Sequence, residues 1–446
     1  MTAAQTSAMR PVVVGAGWSG LACAISLVLR GHRPLVLDAA PHAGGRARSF
    51  THALGSAPVE LDNGQHLLLG GYRATLDLMQ TVGVDCTRAF ARSPFALTYP
   101  DGWRLAAADL PAPLHLAAAL LGARGPTLAE RWSLTRWSLR HARSGWRYHA
   151  ADGPAAALFA GEPAGLVRRL WRPLCLAALN VELEDASAHI LLNVLRDSLG
   201  ARARDSALLV PRIGLSRLFP EAAIAWLTAH GAEVRLHSTV TALEVGDSGA
   251  GHALHVRGER LAAGSIVLAL PADRAADLLA NVNAALEPAS QMLRAVRFAP
   301  IATVYLRYAA GTRLTYPVLT LQDDPRQGHH GQWAFDRGAR DPAMDGIVSV
   351  VISGEGPYRA LDRDALGQTI ALQLRSALGL PAPLGYTAIT EKHATIVPAP
   401  GLRRPDAVLP VAGLYLAGDA ADSPYPSTIE GSVRSGIAAA AAIGPP

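Results

Sequence analysis

The run VVVGAGWSGLACAISLVLRGHRPLVLD, residues 12–38, restricts the possible folds more than any other stretch. Arg10 just ahead of it and its apolar centre mimic a secretory signal or a membrane anchor. Against both readings, Gly15, Gly17 and Gly20 interrupt the apolar run, and Arg30, His32 and Arg33 end it too early for a bilayer span. A dinucleotide-binding βαβ unit explains every piece. Pro11–Val14 is a short strand, Gly15 makes the tight turn, Gly17 lets the backbone approach a pyrophosphate, and Gly20 lets the helix lie close to the sheet. The helix runs from Ser19 to about Arg30, its N-terminal amides, beginning near Trp18, facing the phosphates, and Gly31 ends it. Leu35–Leu37 is the second strand, and Asp38 closes it where a carboxylate accepts from ribose hydroxyls.

The chain has 446 residues, enough for two lobes, with 50% hydrophobic and 17% charged residues. That is a globular composition, and it excludes a disordered chain. The net charge of +5 comes almost wholly from arginine, Lys392 being the only lysine. No basic run interleaved with aromatics suggests nucleic-acid binding. Cys23, Cys86 and Cys175 are odd in number and far apart, which suggests neither a zinc site nor a disulfide framework and fits a reducing cytoplasm. No metal site is expected. The doublet His329–His330 reads as a solvated loop.

Two further elements narrow the cofactor. HAGGRARS puts Gly44, Gly45 and Arg46 just after the acidic strand end. GLYLAGDAADSPYPSTIEGSVRSG, near the C-terminus, reads as a strand at 414–417, the pair Gly418–Asp419, a loop, and a helix from about Thr428. Both resemble elements of the FAD-containing amine oxidase and carotenoid desaturase superfamily. The resemblance implies FAD as cofactor. It implies that Gly45 and Arg46 wrap the pyrophosphate and ribityl region, and that Gly418 and Asp419 bind ribityl hydroxyls and phosphate. The following helix then aims its N-terminus, with Thr428, Ile429 and Glu430, at the flavin ring. HGAEVRLHSTVTALEV, residues 230–245, looks like the superfamily's strand and turn that set Val240 against the adenine. The expected architecture is α/β: a Rossmann-like FAD-binding domain of the glutathione-reductase/amine-oxidase type, interleaved with a substrate domain of mixed sheet plus helices. Residues 1–98, 205–275 and 396–446 are expected to form the former, 276–395 the substrate sheet and helix, and 99–204 a helical segment facing substrate or membrane.

Longer blocks are more specific. LDNGQHLLLGGYRATLDLM, PLCLAALNVELEDASAHILLNVLRDSL, LLVPRIGLSRLFPEAAIAWL and STIEGSVRSG together resemble the hydroxysqualene dehydroxylases, squalene-associated FAD enzymes of bacterial hopanoid clusters. Two positions depart from the pattern: Ala420 stands where relatives carry an aromatic residue, and Asp38 where glutamate is commoner. The resemblance implies a reaction in which reduced FAD gives hydride to an allylic carbon of hydroxysqualene while the hydroxyl leaves as water. The site must be dry and must supply a proton, because hydroxide is a poor leaving group.

Asn63, Gly64, Gln65 and His66 follow a strand that, in the superfamily, returns to border the flavin. Gln65 or His66 either contacts the ring or the substrate hydroxyl, or bonds backbone in a buried turn. Asn180, in the apolar setting LCLAALNV, is the third candidate, a polar anchor of a hydrophobic pocket. Glu184 and Asp185 read as surface carboxylates. Lys392 does not clearly match the flavin lysine of amine oxidases and fits a structural or substrate-access role. From Trp103 to Tyr148, tryptophan and arginine on two apolar helices broken near Gly125–Pro126 suit either a membrane interface or a buried helical cap. A long isoprenoid drawn from a bilayer favours the interface, placing the protein peripherally at the cytoplasmic face of a bacterial inner membrane. Desaturation or amine oxidation on the same scaffold, and flavin-free prenyl-lipid binding, are the competing functions. The electron donor is not identified by any second nucleotide fingerprint, and oligomeric state is left open.

Overall fold

In a computed structural model, residues 10–55, 57–107, 114–198, 203–246 and 251–445 are described. The apolar strand Pro11–Val14 sits at the centre of a parallel sheet whose strand order is Glu233–Arg235, Leu35–Leu37, Pro11–Val14, Ser265–Leu268, Leu414–Leu416. This is the doubly wound arrangement. Strands buried on both faces read as continuous apolar runs, and Pro11–Val14 is buried at every position. The helix Trp18–Leu29 covers one face, and the C-terminal helix Ile429–Ala442 packs along it. Three distant parts of the chain therefore meet at one sheet, as the motifs implied. A three-stranded antiparallel meander, Val240–Glu244, His252–Val256 and Glu259–Ala263, links the third strand to the fourth.

The second large sheet runs Val318–Thr320, Trp333–Asp336, Ile347–Ser353, Phe298–Arg307, Gly385–Ile396. The expected mixed sheet is here antiparallel at every ladder. A short reversal can join antiparallel neighbours, as between Trp333–Asp336 and Ile347–Ser353. The helix Arg363–Leu378, capped by Asp362 and ended by the left-handed Gly379, brings the chain back to lay Gly385–Ile396 beside Phe298–Arg307. The hairpin Ser49–Leu54/Ala57–Asp62 leans on this sheet through Leu54, Leu61, Tyr305 and Ile347.

Between the second and third strands of the parallel sheet in sequence lie the helices Leu114–Leu121, Leu128–Arg143, Arg172–Leu179 and Ala188–Ser198. The break near Gly125 is as expected. Thr127 and Glu130 form a reciprocal capping box that starts Leu128–Arg143. Of the tryptophans in this segment, Trp103, Trp137 and Trp146 are buried, and only Trp132 is exposed. Trp137 stacks among Trp171, Phe159 and His141, and its Nε1 donates to the Leu158 carbonyl. This corrects the picture of one tryptophan-rich interface: most of the indoles hold the helices together, and the segment has a core side and a solvent side. His330, expected in a solvated loop, is buried near Tyr358. All three cysteines are unpaired.

Candidate active site

Glycine decides the first contact. Gly15 has φ +111°, and a Cβ there would strike the Ala269 carbonyl; one on Gly20 would strike the Gly15 carbonyl. The helix Trp18–Leu29 begins at Gly17 with no side-chain cap and no acidic residue in its first turn. Its leading amides, including those of Trp18, Ser19 and Gly20, are thus left for an anion. The Trp18 indole turns the other way. It packs on Phe219 and donates to the Ala47 carbonyl, pinning the second glycine element. That element lies on the fingerprint turn: Gly17 and Gly44 form a parallel bridge, and the Gly44 amide donates to Ala16. The Asp38 carboxylate accepts from the Ala16 amide at 2.6 Å and the Ala40 amide at 2.7 Å, clamping the turn from its strand end. Ser238 donates from its amide to the Asp38 carbonyl, so Val240 starts the meander just beyond this edge.

The far end of the chain closes the cradle. The Arg46 guanidinium bonds Asp419 at 2.8 Å and the carbonyls of His393 and Ala394. Burial disfavours its charge, but Asp419 outweighs that and holds its pKa above the usual range. Gly418 donates from its amide to the Ser435 hydroxyl. Arg404 is buried and clamps the same loop, donating to the Asp419 and Ser423 carbonyls. Its Nε has no hydrogen-bond partner among the described residues, and burial holds its pKa down. Thr428 caps the C-terminal helix by accepting from Gly431, leaving the Ile429 and Glu430 amides open. The Glu430 side chain is committed elsewhere. It accepts from Thr75 and Ala74 at the start of the helix Arg73–Thr81 and from Arg434. Only its backbone can serve a cofactor. Two helix starts that present free backbone amides, one uncapped at Gly17 and one capped by Thr428, flank an arginine–aspartate pair and fit a dinucleotide whose pyrophosphate is anionic and whose ring gains negative charge on reduction.

Asn63–His66 forms the other wall, laid over the antiparallel sheet. The Asn63 amide group donates to the Arg46 carbonyl and to Glu391. The Gln65 backbone amide donates to Thr303, and its side-chain carbonyl accepts from Arg337 at 2.6 Å and Ser349 at 3.1 Å. Its side-chain nitrogen donates to the His66 carbonyl. Gln65 is thus fully engaged, and it fixes the backbone of its neighbour. Asp62, read from sequence as a turn residue, is a hub. It accepts from Ser49, the Leu215 amide and, at 3.4 Å, the buried Arg337, while its carbonyl accepts from Tyr305.

His66 differs from its neighbours. Its Nδ1 donates to the Gly64 carbonyl at 2.9 Å, and its Nε2 has no hydrogen bond among the described residues. Burial and then the Arg46 charge hold its pKa below 6.5, against the Gly64 carbonyl and Asp62. At neutral pH the ring is neutral with Nε2 open. Asn180 lies elsewhere. It is the left-handed cap of the helix Arg172–Leu179, φ +60°, and is buried. Its side chain donates to the Pro300 carbonyl and Thr395 and accepts from the Gly354 amide. That makes it a joint between helix and sheet with no free donor. Glu184, Asp185 and Lys392 are exposed. Sequence reasoning missed Arg337, Ser349, Thr303, Glu391 and Arg404. Thr303 and Ser349 are polar positions inside apolar strands, a signal that was there to read.

The fold and cradle define a dinucleotide-dependent oxidoreductase with three-segment architecture. A model of flavin-containing amine oxidoreductases matches residues 18–444, and the chain belongs to that family. It is an FAD-dependent enzyme. It is 31% identical to hydroxysqualene dehydroxylase of Rhodopseudomonas palustris and 29% identical to that of Sinorhizobium fredii, each alignment covering 96% of both chains. An oxidoreductase from Methanosarcina mazei shares the fold, with TM-score 0.75, 16% identity, and coverage of 96% of this chain and 99% of that one.

Proposed function

We propose that this protein reduces hydroxysqualene to squalene, releasing water. Full-length similarity to proteins named for that reaction supports the reading. The observation that carries it is the open Nε2 of His66 on a braced turn beside Arg46. Gly15, Gly17, Trp18, Ser19, Gly20, Asp38, Gly45, Arg46, Asn63, Gly64, Val240, Gly418, Asp419 and the Thr428–Glu430 backbone would hold FAD, which would supply hydride when reduced. The chain's own residues manage the oxygen. His66 takes a proton from solvent on Nε2 while Nδ1 keeps its bond to Gly64, and passes it to the hydroxyl oxygen as the C–O bond breaks. One hydride and one proton thus convert the allylic alcohol to hydrocarbon and water. A half-buried imidazole that protonates reluctantly is a correspondingly strong acid, suited to a poor leaving group. Gln65 positions His66, and Asn180 fixes the sheet beneath. An external donor would be needed to reduce the flavin again, and the substrate's insolubility favours work at a bilayer surface.

The test is anaerobic. Reduced protein is mixed with hydroxysqualene, flavin absorbance is followed and lipids are extracted. Reoxidation matched mole for mole by squalene is the expected result. Bleaching of the oxidised enzyme by a polyene or an amine, with no reoxidation by hydroxysqualene, would assign desaturation or amine oxidation instead. Colourless protein that binds isoprenoid would point to a carrier.

A further inference from the structure

The helix Leu128–Arg143 has one face that none of the described residues covers. Ser133, Leu134, Trp137 and His141 point into the core. On the opposite stripe, at helical spacing, Leu128 is 83% exposed, Trp132 67% and Leu139 50%, and Leu121, at the end of the preceding helix, is 82% exposed. Four of the eight large apolar residues exposed among the described ones sit on this one helical hairpin. Scattered exposed leucines are ordinary, but a contiguous group is not. The polar residues between them are of one sign. The helix carries Arg131, Arg136, Arg140 and Arg143 against a single acid, Glu130, which is spent in the capping box. Arg131 also turns inward, donating to the Ala123 and Pro126 carbonyls. Arg136, Arg140 and Arg143 instead flank Trp132 and Leu139 around a shallow groove of about 740 Å³. Among the described residues, the groove is lined by this one helix and Ser144.

We infer that this face docks the protein on an anionic lipid bilayer, Trp132, Leu128, Leu139 and Leu121 entering the headgroup boundary while Arg136, Arg140 and Arg143 meet lipid phosphates. Indole, aliphatic and guanidinium groups on one helical stripe match an interfacial helix lying in the membrane plane. No helix among the described residues is long and apolar enough to cross a membrane, so contact through this face is monotopic. The inference rests on the proposed hydrocarbon substrate only for its purpose, since the chemistry of the face stands without it.

The experiment uses the FAD-loaded protein and sedimentation with vesicles. One set is phosphatidylcholine alone; the other contains about one-third phosphatidylglycerol. The wild type is expected to bind the anionic set and to release in high salt. The triple variant R136S/R140S/R143S should bind about a hundredfold more weakly, from roughly 1 kcal/mol for each arginine near an anionic surface. L128S/W132S should lower partition into both sets. Retained flavin and far-ultraviolet circular dichroism identify variants that fold. Equal binding by wild type and folded variants would overturn the inference. So would a change in oligomeric state in the variants with vesicle binding unaltered, which would make the face a contact between copies. Turnover measured in detergent micelles separates the two readings: intact vesicle binding without dehydroxylation removes the proposed reaction and leaves the docking face standing.

Discussion

The two walls of the site are built differently. The proposed FAD cradle is made mostly of backbone held by short motifs: the Gly17–Gly44 bridge, and Asp38 clamping Ala16 only 22 residues away. The opposite wall is made of side chains held from afar. Gln65 is fixed by Arg337, 272 residues on, and Asp62 pairs with the same arginine at a separation of 275. A wall of backbone tolerates little variation, because each turn needs glycine or a specific cap. A wall of side chains can be rebuilt one residue at a time, so the same cofactor can serve different substrates.

The sharpest way to test that contrast is to break each wall separately. Gly15→Val should abolish flavin binding outright, read as colourless protein, because the added side chain collides with the Ala269 carbonyl. Asp62→Ala should leave the buried Arg337 charge without its carboxylate and cost about 3–5 kcal/mol in urea unfolding. Protein that folds should still be yellow, since the cradle does not depend on this pair. His66→Phe should keep flavin content and lower kcat/KM about a hundredfold, the usual worth of a positioned acid. The pH profile gives the sign. His66 protonates only below 6.5, so the dehydroxylation rate should rise as pH falls from 6.5 toward its depressed pKa, and the phenylalanine variant should be flat. A wild-type rate that falls in acid would make His66 an acceptor of the substrate hydroxyl instead.

The smallest effect is in the helical segment. His141 is buried, neither ring nitrogen has a hydrogen-bond partner among the described residues, and burial, followed by Arg140, lowers its pKa to about 4. Its folded pKa lies below its unfolded value of 6.5. The stability of the neutral ring is therefore complete above pH 6.5 and is lost as pH falls toward 4. His141→Phe should flatten thermal stability over that window, measured by melting at stepped pH.

Much of the fold was legible in the chain. The strand, glycines, helix and acid of residues 11–38 announced themselves because backbone geometry admits few residue types at those positions. Arg46 and Asp419 are 373 residues apart, yet each lay inside a recognisable element, so their pairing could be expected without a contact map. The residue chemistry of the second wall was only half visible. The sequence marked Asn63–His66 as a polar turn, but it could not say that Gln65 is saturated and His66 open, since that depends on which strands bring Arg337, Ser349 and Thr303 beneath it. Asn180 shows the same limit, for a polar residue in apolar surroundings reads alike whether it faces a pocket or ties a helix to a sheet.

The segment from Trp103 to Tyr148 divides most plainly. Composition alone determined that it holds tryptophan, arginine and leucine on helices. Only packing decided that Trp103, Trp137 and Trp146 turn inward while Trp132 stays outside with the arginines. Local backbone rules act over a few residues and leave their mark in sequence spacing. Burial is set by what lies opposite each face, and that is fixed only when distant elements meet.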